Sequence, residues 1–201
     1  MASEVDLCNL ALSRLGDSAT VSSIDPPEGS AQAEHCSRFY PIARDSLLEM
    51  HDWKFATRRT TLSELTVDSF NWAHSYAEPN GALRIVSVLD ATQSAEDESY
   101  PFAAESGDDG AALIYTNLQY ATVRYVARVT DTTKFSPLFA DALAWLLASH
   151  MAGPLIKGTA GQAAAKACYA NFNLVFSYAK VSDANQRKSD PTHTPGWIAD
   201  R

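Results

Sequence analysis

Asp45, Glu49 and Asp52 fall four and three residues apart, so on a helix they form one acidic face. Paired carboxylates can hydrolyse a glycoside by general acid and base catalysis, provided that a cleft drives their environments apart. With Glu64, Asp45 and Glu49 are the candidate acids of the chain. A solvated or subunit-facing charged face is the simpler reading of the same spacing. The histidines, His35, His51, His74, His150 and His193, are scattered, without the HExxH or paired spacing of a zinc site. His35 and Cys36 are adjacent and would point about 100° apart on a helix, which makes a poor base and nucleophile pair. KGTAG at 157–161 lacks the preceding strand and the GxxxxGK[ST] order of a phosphate loop, and reads as helix punctuation. No catalytic centre, metal or cofactor is expected from these sets.

Two further groups of residues suit contact rather than chemistry. Arg124 and Arg128 share one face of a strand pattern whose other face is Val123, Tyr125, Ala127 and Val129. They read as a solvent or salt-bridge face, or as a contact with passing phosphate or with an acidic loop of a neighbouring copy. Near the end of the sequence, Trp197 and Ile198 are the strong apolar pair in a polar, proline-containing stretch. Such an arm either folds back on its own domain or anchors in a partner's groove.

The elements that position these groups follow from periodicity. Ser3 and Asp6 resemble a capping box, Val5, Cys8, Leu12 and Leu15 follow at helical spacing, and Gly16 ends that helix. A Ser-, Pro- and Gly-rich loop leads to a second helix from about Ser30, in which Ala33, Cys36, Tyr40, Ala43, Leu47 and Met50 make one stripe and Pro41 should kink the axis. His51-Asp52-Trp53 breaks the stripe, so a large aromatic arrives where the chain turns. From Lys54 to Gly81 no clean period is visible. LRIVSVL, AALIYT and YATVRYVARV then read as strands, with acidic loops at 95–99 and 105–110 between them. A strongly apolar helix begins after Lys134 and is expected to stop at Gly153-Pro154, and a last helix runs from about Thr159 to Val181.

The expected fold is therefore mainly α: a four-helix, bundle-like core with an inserted small antiparallel β region and an extended C-terminal tail. Residues 1–78 and 131–183 form the helical domain in this reading, 79–130 the inserted β region and 184–201 the arm. At 201 residues one principal core is the default. Cys8, Cys36 and Cys168 each sit at an apolar helical position and read as buried free thiols. No apolar run approaches the ~20 residues that span a bilayer, and the acidic start carries no secretory signal, so the chain is expected in cytoplasm without a membrane partner. A net charge of −8 argues against a protein that grips nucleic acid through a broad basic face. It does not exclude one past which DNA slides without sticking, where a mildly repulsive surface is an advantage.

Taken in order, EVDLCNLALSRLG, the loop with Ile24-Asp25, RFYPIARDSLLEMHDWKFATRR, the proline before LRIVSVL, and VTDTTKFSPLFADALAWLLASHMAGPL resemble tail tubular protein A of short-tailed bacteriophages and related head-to-tail adaptors. The resemblance spans nearly the whole chain. It implies a non-enzymatic virion component assembled in the host cytoplasm, a homo-oligomeric ring, expected to be a dodecamer, under the portal protein and joining it to the tail nozzle or tube. DNA would pass through that ring without specific binding. It also implies portal docking through the helical part and the C-terminal extension, which here places Pro195, Trp197 and Ile198 at the partner. Some related tail factors resemble peptidoglycan hydrolases, and that is the alternative function, with Asp45, Glu49 or Glu64 as acids.

Overall fold

The computed structural model describes residues 2–66, 71–91, 99–107 and 109–186. Helix α1 (Glu4–Arg14) starts at a complete capping box, in which the Ser3 hydroxyl accepts from the Asp6 amide and the Asp6 carboxylate accepts from the Ser3 amide. It ends at Leu15, after which Gly16 takes a positive φ. Helix α2 (Ala31–Glu49) is capped by the Ser30 hydroxyl and buries Ala33, Cys36, Tyr40, Ala43, Leu47 and Leu48. Helices α3 (Pro137–Ile156) and α4 (Gly158–Ala184) follow one another through a single linking residue, Lys157.

The β structure is larger than the sequence suggests and begins earlier. Strands β1 (Thr57–Thr61), β2 (Glu64–Leu65) and β3 (His74–Ala77) precede β4 (Ala82–Asp90), β5 (Phe102–Ser106), β6 (Ala112–Thr116) and β7 (Ala121–Ala127). They form two antiparallel sheets, ordered β1-β7-β4 and β2-β3-β6-β5. With helices at 46% and strands at 23%, the fold is mixed α/β, which corrects the expectation of a mainly α bundle carrying a small insertion. The physical reason lies in β1 to β3. They are two to five residues long; β1 is closed by β7 and β3 by β6 some forty to seventy positions later, and β2 is a two-residue strand on β3, so no local period marks them.

The three-stranded sheet mediates between two cores. One core joins α1, α2, α3 and α4, with Leu7, Leu12, Leu47, Trp53, Phe139 and Leu143 buried together, and Val126 of β7 reaches into it. The other lies where the sheets meet, with Val123 and Tyr125 of β7 against Tyr76 and Ile114. Alternation along β7 thus serves both sides. In β4 it does not survive, because the register shifts at Ala82/Arg84 and again at Ile85/Ser87, and Ser87, Val88 and Leu89 are buried in succession.

Helix α3 is long and apolar enough by composition to cross a membrane. Here it occupies the centre of the helical core, with Phe139, Ala142, Leu143, Ala144, Leu147 and Met151 fully buried. It does not stop at Gly153-Pro154 but continues to Ile156, and the break falls at Lys157, whose φ is 61°. A proline in the last turn costs one bond there, and the positive φ of Lys157 and Gly158 reverses the chain. Gly161 is where the returning helix comes closest: a Cβ added to it would lie 3.1 Å from the Ala152 carbonyl oxygen.

Candidate functional site

The acidic face of α2 is built into the junction between the helices and the three-stranded sheet. Arg44 Nε donates to Asp45 Oδ1 at 2.8 Å, and Arg128 Nε donates to Asp45 Oδ2 at 2.8 Å. Arg44 also lies 3.9 Å from Glu4 Oε1, which extends the chain of charges to α1. Beyond the helix end, Asp52 pairs with Arg84 of β4. Asp45 and Asp52 therefore act as struts from α2 and its exit turn to β7 and β4. Each pair is partly exposed and is worth about 0–1 kcal/mol, so the gain is in orientation more than in stability.

Glu49 is exposed at the last turn of α2. Glu64 stands on β2 in the other sheet, where its carboxylate is 2.6 Å from His74 Nδ1 of β3. The three candidate acids thus sit in three settings, a two-arginine clamp, an open helix end and a cross-strand pair with histidine. Asp45 and Glu49 share α2, and Glu64 stands apart from them in the other sheet. Among the described residues no group of three His, Cys, Asp or Glu side chains is placed to hold a metal.

Arg124 and Arg128 separate as well. Arg128 follows the end of β7, with its amide on the Gly81 carbonyl at 2.8 Å and its guanidinium on Asp45. Arg124 lies within β7, directly opposite Arg59 of β1 on one side and Ser87 of β4 on the other. Two like charges facing across a ladder oppose pairing, and Arg124 Nε is enclosed without a hydrogen-bond acceptor.

Sequence reading missed Asp183. It is 5% exposed at the C-terminal end of α4, and its carboxylate accepts the Lys54 amide at 3.1 and 3.3 Å and lies 3.4 Å from His51 Nε2. It thereby satisfies the turn that carries Trp53. Trp53 itself is fully buried; its Nε1 donates to the Leu47 carbonyl at 2.8 Å, and its ring meets Phe139 edge-on at 4.9 Å. An aspartate near the end of a helix gives no signal for such a role, because its partners lie 129 residues away.

On the far side of α4, exposed Leu174, Tyr178 and Val181 stand on one line with Ala160, Ala163, Ala167 and Ala170. Beside that line a shallow hollow of about 460 Å³ is lined by His150, Lys166, Tyr169 and Asn173. His150 stacks on Phe39 at 6.2 Å, and the partial desolvation of its ring lowers its pKa from the ordinary histidine value. The three cysteines are free and buried. Pro195, Trp197 and Ile198 lie outside the described residues, as does His193.

Compared with known protein families and with curated proteins, the chain matches none. The resemblance to head-to-tail adaptors therefore stands on the quoted segments alone.

Proposed function

We propose that this chain is a structural head-to-tail connector subunit of a bacteriophage virion, forming a ring between the portal protein and the tail nozzle or tube through which DNA passes. The observation that carries the reading is the use made of Asp45 and Asp52 from the acidic face. Asp45 is clamped by Arg44 and Arg128, and Asp52 is held by Arg84, so these side chains brace a β module against a helical bundle. A braced two-part body suits a subunit that must hold its shape between two rings. In addition, the segments that resemble adaptors, far apart in the chain, converge on one core around Leu7, Leu47, Trp53 and Leu143.

In this reading the ring is a dodecamer in the virion neck, and each copy offers Pro195, Trp197 and Ile198 to the portal. The net charge of −8 keeps passing DNA from sticking, while Arg124 and Arg128 serve subunit or channel contacts. Electron microscopy of the chain mixed with the portal of the same phage tests the reading. A ring stacked on the portal is expected, with docking weakened by deletion of residues 194–201. A chain that stays monomeric both alone and with the portal removes the proposal. Clearing of peptidoglycan in a zymogram, lost in Glu64→Gln, would favour the hydrolase instead.

A further inference from the structure

Among the described residues, helix α4 spends only one stripe on the fold. Gly161, Cys168, Phe172, Ala179 and Asp183 are its buried positions. At about 100° per residue these share one direction, and Ala160, Ala163, Ala167, Ala170, Leu174, Tyr178 and Val181 point the opposite way. All seven are exposed, at 54% for Leu174, 59% for Tyr178 and 61% for Val181. Their spacing is three or four residues at every step, the repeat of a helix seam that packs on another helix. Lys166 is the one charged residue among the exposed positions of α4, and it stands on the flank of this line. Lys180 is turned onto the Phe176 ring, 4.6 Å from its centroid.

We propose that this stripe pairs two copies of the chain through their α4 helices, antiparallel about a two-fold axis at the level of Phe172. Side-chain size sets the direction. The N-terminal half of the stripe is all alanine, and the C-terminal half is leucine, tyrosine and valine. Antiparallel pairing sets Ala163 against Val181 of the second copy, Ala167 against its Tyr178 and Ala170 against its Leu174, so large meets small along the whole seam. Parallel pairing would crowd one end and leave a gap at the other. Charge allows the same occupant: two bodies of net charge −8 repel, and the line carries no acidic residue, with Lys166 on its flank.

The seam is about 32 Å long at 1.5 Å per residue, and a single helix pairing along it covers a small area. That lies below the ~1,200 Å² of a standard stable interface, so the pair forms and dissociates with concentration. A two-fold pair uses one surface twice and closes at two copies, whereas a ring needs two different surfaces on each copy. The α4 pair is therefore an interaction of the free chain, independent of the ring proposed above.

Sedimentation equilibrium of the full chain tests the pairing, with expected masses passing from one copy to two as concentration rises. Leu174→Arg sets two like charges near the axis and is expected to hold the chain monomeric where the wild type is dimeric, with unchanged circular dichroism. Ala163→Cys mixed with Val181→Cys under mild oxidation is expected to give a cross-linked dimer, and Ala163→Cys alone none. A chain monomeric at every concentration overturns the pair, as does a dimer that survives Leu174→Arg or an Ala163→Cys chain that cross-links to itself. An oligomer of more than two copies that Leu174→Arg disrupts assigns the stripe to a ring contact and also overturns it.

Discussion

Helices α3 and α4 are consecutive, antiparallel and both poor in charge, with Asp141 in the first and Lys166, Lys180 and Asp183 in the second, but they dispose of their apolar surface differently. Along α3 only Pro137, His150, Gly153 and Ile156 are exposed, because α1, α2 and α4 close around it. Along α4 the buried stripe is narrow, and leucine, tyrosine and valine stand in solvent on the other side. The low charge of α3 is accounted for by the core it fills. The low charge of α4 is not accounted for by the packing of the described residues, and an apolar helix side with no partner among them marks a contact surface. The comparison also separates two kinds of residue: those that hold the fold, and those that the fold holds out.

The contrast sharpens when the inner side is damaged. Trp53→Ala empties the site where α2, α3 and α4 meet and is expected to cost about 3–5 kcal/mol, read as a fall in the urea midpoint. A loss below 1 kcal/mol would mean that the core is not organised on this ring. Asp183→Ala takes the charged acceptor from the Lys54 amide, and about 1–3 kcal/mol is expected in the same assay. Full stability in that variant would show that the end of α4 does not secure the Trp53 turn. Gly161→Val forces α4 away from the Ala152 carbonyl and is expected to cost about 1–3 kcal/mol. Thermal unfolding of the variant equal to wild type would place the α3–α4 approach elsewhere.

How much of this was legible depends on how local the signal is. The Ser3–Asp6 box, the Ser30 cap and the stripe from Ala33 to Leu47 are set by residues a few positions apart, and each was readable. The partners of β1 and β3 lie far along the chain, so TRRTT and HSYA carry little more than a few β-branched and aromatic residues as a hint. The two bulges of β4 are invisible in an alternation that looks regular on paper. The continuation of α3 past Pro154 was missed because proline near a C-terminal end removes a single bond, which tertiary packing outweighs. Of the candidate site, the acidic face of Asp45 and Asp52 was visible, but its arginine partners depend on contacts 83 and 32 residues away. The outward line of α4 was present as a second apolar period, concealed by the first.

The claim that α4 has one side for the fold and one for a partner is tested most directly by charging the outer side alone. With Leu174→Lys, Tyr178→Lys and Val181→Lys combined, the equilibrium urea unfolding of the dilute chain should stay within about 1 kcal/mol of wild type, since each change is at an exposed position with no contact to the core. Self-association should vanish in the same protein. A loss of about 3 kcal/mol or more in the dilute chain would show that these side chains hold its own fold together, and would contradict the account.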